Sequence, residues 1–124
     1  MVIAKKDFWD HLRFDYENKT EFKLNIHFDN IQFDKLKVGY IPDDISSRYL
    51  AYFENDTLFI HSIMGGDCYY ELKFNTNINN ICCDKIIKYN KFRPDDSKEE
   101  TVSFIKTFLQ YSLNLGTLDK FASH

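Results

Sequence analysis

RYLAYFENDTLFIHSIMGGDCYYELKF, residues 48–74, decides the fold. Aromatic and β-branched residues fill three short runs, and turn residues fill the gaps at Glu54-Asn55-Asp56 and Gly65-Gly66. Such a pattern predicts a three-stranded antiparallel meander with strands over 49–54, 57–63 and 68–74. In the last strand Cys68, Tyr70, Leu72 and Phe74 alternate with Tyr69, Glu71 and Lys73. The middle run Leu58-Phe59-Ile60 is apolar on both faces, as a doubly covered strand is. Gly65-Gly66 leads into a strand and not into a helix, so it reads as a hairpin turn and not as a phosphate cradle.

Outward from the meander, residues 21–28 alternate cleanly. Phe22, Leu24, Ile26 and Phe28 lie on one face, with Glu21, Lys23, Asn25 and His27 on the other. Residues 35–41 alternate again through Leu36, Val38 and Tyr40, and Pro42 stops them, which predicts another strand. Toward the N-terminus, Phe8, Leu12 and Tyr16 recur at helical spacing beside Trp9, predicting an amphipathic helix over 4–17 with Asp7 as its N-cap or first-turn acid. Beyond the meander, residues 75–80 read as an Asn-rich loop. Residues 81–92 lean to a helix through Ile78, Ile81, Cys82, Ile86 and Tyr89, with a sixth strand over 86–89 as the alternative. Residues 97–115 form the firmest helix. Ser97 and Glu100 make a capping box, Val102, Ile105, Leu109 and Leu113 make an apolar stripe, and Gly116 ends it. The expected fold is a single α+β domain over 1–124: an N-terminal helix, an antiparallel sheet of about five strands around a central meander, and a long C-terminal helix packed on the sheet.

The 124 residues suffice for one core. With 44% hydrophobic and 28% charged residues the chain is globular. It carries 16 Lys and Arg against 19 Asp and Glu, without a basic cluster, so it lacks the footprint that nucleic-acid binding requires. An acidic surface suits a basic partner instead. Cys68, Cys82 and Cys83 are an odd count with one adjacent pair, which reads as reduced thiols in a cytoplasmic protein. The N-terminus reads as no secretory signal, and no run reaches membrane-spanning length, so no membrane partner is expected.

Chemistry is sparse. His27, His61 and Glu71 are the only candidates for an acid–base site, with Tyr69 or Lys73 beside them, and ordinary solvent-face residues explain them better. His11, His27 and His61 lack any metal-ligand spacing, so neither metal nor cofactor is expected. Nothing marks Cys82 or Cys83 as an activated nucleophile, and a small buried hydrophobe is the simpler role. The acidic connections are more suggestive. Asp43 and Asp44 follow Pro42, Asp95 and Asp96 follow Pro94, and Asp29, Asp34, Glu54, Asp56 and Asp67 occupy other turns. Turn chemistry accounts for each one singly. Together with Tyr40, Tyr49, Tyr52, Tyr69 and Tyr70 they suggest an acidic surface with rigid aromatic anchors, suited to gripping a basic protein. The expected binding residues are Asp43, Asp44, Tyr49, Tyr52, Glu54, Asp56, Asp67, Tyr69 and Glu71.

In size, acidity, cytosolic signature, aromatic richness and a composition favouring AT-rich codons, the chain resembles bacterial immunity proteins, such as those that neutralise toxins of contact-dependent growth inhibition. The likeness covers the whole chain in general character, rests on no motif and carries no residue with it. It implies a non-enzymatic inhibitor that blocks the active site of a cognate toxin. The alternatives are an acidic secretion chaperone, binding an effector segment along the first helix or a sheet edge, and a small enzyme using His27, His61 and Glu71.

Overall fold

The computed structural model describes residues 2–14, 17–42, 48–77, 80–91 and 93–116. Five strands and two helices follow in the order β1 (Lys19–Phe28), α1 (Asn30–Val38), β2 (Tyr49–Glu54), β3 (Thr57–Ser62), β4 (Cys68–Asn77), β5 (Asn80–Tyr89) and α2 (Lys98–Tyr111). All strand pairs are antiparallel, in the spatial order β1-β5-β4-β3-β2. The class is α+β, and the meander of β2, β3 and β4 stands where the sequence puts it. β5 continues it past β4, and β1 closes the far edge by pairing with β5.

The β2–β3 hairpin turns on Asn55 and Asp56, both in the left-handed region at φ 53° and 55°. That is the backbone of a two-residue turn whose twist matches the strands, and Asn and Asp tolerate it best after Gly. The Asp56 carbonyl accepts from Phe74 N at 2.9 Å, which ties the tip to β4. The β3–β4 connection contains Gly65 and Gly66, as expected of a hairpin turn.

One sheet face carries Leu24, Ile26, Phe28, Leu58, Ile60, Tyr70, Leu72, Phe74, Cys83 and Ile86. It packs against Leu36 of α1 and Ile105, Phe108 and Leu109 of α2. The capping box holds at α2: Glu100 N donates to Ser97 Oγ at 3.1 Å, and Ser97 N to Glu100 Oε1 at 3.0 Å.

Three expected elements take another form. Among the described residues of 4–17 no α-helix forms; Tyr16, which the helical spacing used, lies outside them. A 3-10 turn covers Lys6–Phe8, with Asp7 inside it and Lys5 preceding it; Trp9 after it is extended, Asp10 bends the chain, and Arg13 bridges to Asp67. This segment lies as a strap over the second sheet face. Ala4 N donates to Val38 O at 2.8 Å, Arg13 N to Gly66 O at 2.8 Å, and Cys68 N to Arg13 O at 2.9 Å. The Phe8–Leu12 spacing that suggests a helix loses to these pairings: Trp9, Leu12 and Phe14 face the sheet, and Phe8 remains exposed. Of the strand expected over 35–41, residues up to Val38 are instead the end of α1, Gly39 caps that helix, and Tyr40 alone makes a strand-like antiparallel bridge, to Ala51. Asp29 and Gln32 cap that helix reciprocally, through Gln32 N to Asp29 Oδ1 at 2.7 Å and Asp29 N to Gln32 Oε1 at 3.0 Å. The described residues of 75–80 and 81–92 form neither the loop nor the helix, and over 86–89 the strand alternative holds; residues 78, 79 and 92 lie outside the described set. β4 runs on to Asn77, and Asn80–Tyr89 is the strand β5.

Candidate functional site

Two regions bear on function: a polar cluster under the strap and the acidic tip of the β2–β3 hairpin. His61 and Glu71 do share the second sheet face, since Phe59 pairs with Glu71 and His61 with Cys68. Both are buried, at 0% and 5% exposure, so neither is the solvent-face residue that its strand position suggests. His61 Nδ1 lies 2.9 Å from the Gly66 carbonyl and Nε2 lies 3.2 Å from Tyr52 Oη. A carbonyl only accepts, so Nδ1 carries the proton and neutral Nε2 accepts from the Tyr52 hydroxyl. Tyr52 stacks on the imidazole and on Phe59, while Phe14 of the strap meets the imidazole edge-on at 5.0 Å between centroids. Burial pushes the His61 pKa below its ordinary value, against the opposing pull of the Gly66 carbonyl and Glu71.

Glu71 accepts from the Tyr89 hydroxyl through Oε2 and meets Lys73 Nζ at 3.0 Å through Oε1. A carboxylate with both oxygens engaged, and an imidazole with both nitrogens engaged, make a packed polar core and not an open acid–base site. His27 lies elsewhere. It is exposed on β1, opposite Cys82, and β5 and β4 separate it from β3. The three cysteines are free and buried. Burial pushes the Cys83 thiol up to about 12 and raises Cys68 and Cys82 as well, the opposite of an activated nucleophile.

The expected binding residues do not form one patch. Tyr52 is buried at 1% exposure and, like Glu71, lies beneath the strap, where neither can touch a partner. Alternation along β4 puts Glu71 on the face opposite Tyr70 and Leu72 but carries no information on what covers that face. Tyr49 and Tyr69 are half-buried in a ring cluster, with Tyr49 centroids 5.6 Å from Tyr69 and 5.2 Å from Phe104. Asp67 has a largely covered carboxylate 3.4 Å from Lys91 Nζ. Asp43 and Asp44 lie outside the described residues. Other turn carboxylates have local work: Asp29 caps α1, Asp34 meets Lys37 at 3.4 Å, and Asp96 meets Arg93 Nε at 2.6 Å.

Of the expected binding residues Glu54 and Asp56 remain, both exposed at the hairpin tip; outside that set Asp95, in the turn before α2, is exposed as well. Tyr49 and Glu54 terminate β2 at opposite ends, about 17 Å apart at ~3.3 Å per residue. Beside the tip, Glu54 and Phe53 line a groove of about 470 Å³ with Lys5, Lys6, Asp7 and Trp9 of the strap. Phe8, 47% exposed, tilts against Trp9 at 5.8 Å between centroids. Trp9 and the strap were absent from the expected set, because a helix over 4–17 turns them elsewhere.

Comparison with protein-family models, with curated proteins and with solved structures gave no match. Among the described residues, no helix is long and apolar enough to cross a membrane.

Proposed function

We propose that the protein is a non-enzymatic inhibitor that binds a basic, folded protein in the manner of a toxin-neutralising immunity protein, through the β2–β3 tip and the groove beside it. The observation that carries this reading is the pairing of exposed Glu54 and Asp56 with the Trp9–Phe53 groove. Aromatic anchors beside charged groups are the composition of interface hot spots. The tip is also held before binding, by its two-residue turn and the Asp56–Phe74 backbone bond, so little ordering entropy is lost on docking. Inserted into a basic cleft, it blocks that cleft sterically and pairs its carboxylates with the cleft's cations. The packed state of His61 and Glu71 favours this reading over an enzyme. The chaperone reading loses the amphipathic first helix and keeps only a sheet edge as its binding strip.

The test is the association rate with the cognate toxin. Glu54→Gln with Asp56→Asn keeps the turn, since Asn accepts the left-handed backbone, and removes two charges. The expected result is association slowed by about ten-fold at low salt, with the difference shrinking as salt rises and with an unchanged melting temperature. Unchanged association would refute the tip as the binding element.

A further inference from the structure

We propose that β1 is a self-association edge, through which two copies of this chain join antiparallel about Phe22 into a continuous ten-stranded sheet. β1 ends the sheet, and among the described residues no strand lies beyond it. Its backbone phase is fixed by two contacts. Asn90 N donates to Asn18 O at 2.9 Å, so Asn18 and, by alternation, Thr20 and Phe22 turn their amides and carbonyls toward β5. The Lys23 carbonyl accepts from Lys98 Nζ at 2.7 Å, so Lys19, Glu21 and Lys23 turn theirs outward. The outward set is therefore Lys19, Glu21 and Lys23, of which Glu21 and Lys23 flank Phe22.

A two-fold axis at Phe22 pairs Glu21 with Lys23 of the second copy, and Lys23 with Glu21. Both are hydrogen-bonded antiparallel pairs, because the outward groups belong to those residues. Their side chains are exposed on the same face and of opposite sign, so each pairing also makes a cross-strand ion pair, twice by symmetry. At the axis, half-buried Phe22 meets its own copy in the close non-hydrogen-bonded position, and the fringe of the main core is covered. Lys98 guards the Lys23 carbonyl in the single chain, and the Glu21 amide of the second copy takes its place. β1 and β2 are opposite edges of the sheet, so pairing through β1 leaves the β2–β3 tip free.

The test is sedimentation of the purified chain across a concentration series, with amide hydrogen exchange on the same samples. A monomer–dimer equilibrium is expected, with the Glu21 and Lys23 amides gaining protection as the dimer forms. Glu21→Lys sets Lys against Lys, and Lys23→Glu sets Glu against Glu. Each is expected to weaken dimerisation by about ten-fold, and the double swap to restore it. Both side chains are exposed, so the fold tolerates these changes. A monomer at every concentration overturns the proposal. So does a dimer indifferent to the single charge changes, or one that the double swap fails to rescue.

Discussion

His61 carries a pH dependence whose sign follows from its surroundings. Burial holds its pKa below the ordinary 6.5, against Glu71 and Asp67, which favour the charged form, and with Lys6, which opposes it. The unfolded chain therefore binds a proton that the fold refuses. This stabilising contribution is full above about pH 6.5 and is lost as pH falls from there through the lowered folded value. The melting temperature is expected to fall with acid in that window, and His61→Gln to flatten the slope there; a slope unchanged by the substitution would contradict the assignment. Lys88 is a second residue whose role the sequence hid. It is 1% exposed, and its ammonium donates to Asn90 Oδ1 at 2.6 Å, Arg93 O at 2.7 Å and Pro94 O at 3.4 Å. Lys88→Met leaves those acceptors short of a donor and is expected to cost about 1–3 kcal/mol in urea unfolding. In sequence, Lys88 only breaks an apolar run; the loop that it fastens is visible only once β5 is placed.

Among the elements, those with local signals were legible and those set by tertiary contact were not. The meander and α2 announce themselves through turn residues, alternation and a capping box. β5 did not, for a physical reason. Covered on both faces, it buries the neighbours Cys82 and Cys83, and again Ile86 and Ile87, so no clean alternation survives. Its register also slips around Asp84, where Lys73 pairs with Lys85 but Phe74 with Cys83, and that slip mimics helical spacing. α1 did carry a signal, the Asp29–Gln32 capping box, outweighed by a chance alternation through Leu36, Val38 and Tyr40. The strap has the least local signal, since its conformation depends on the sheet beneath it. Gly66 is its seat: φ is 75°, and a Cβ there falls 2.1 Å from the His11 carbonyl oxygen. Gly66→Ala is expected to cost about 1–2 kcal/mol from the backbone alone and more from lifting the strap. Red-shifted emission from Trp9, the single tryptophan, reports that lifting. Emission and melting temperature both unchanged would show that the strap does not need this contact.

At the scale of the molecule, the fold sorts the acidic residues that the sequence could only group. Caps and ion pairs occupy Asp29, Asp34, Asp67 and Asp96, while Glu54 and Asp56 stand exposed at the end of a braced hairpin. The expectation of an acidic, aromatic-flanked surface was legible from composition. Its location was not, because Trp9 reaches the groove only through the strap, and because Tyr52 and Glu71 disappear beneath the same strap. The central claim is that this tip neutralises a basic toxin. The most direct measurement is growth of cells producing the proteins of the genes that neighbour this one, screened for a basic toxin, with the wild-type protein or the Glu54→Gln, Asp56→Asn variant at matched levels. The account predicts that the wild type restores growth and co-purifies with the toxin at one-to-one stoichiometry, and that the equally folded variant protects less. Full protection by the variant, or no protection by the wild type, would contradict it.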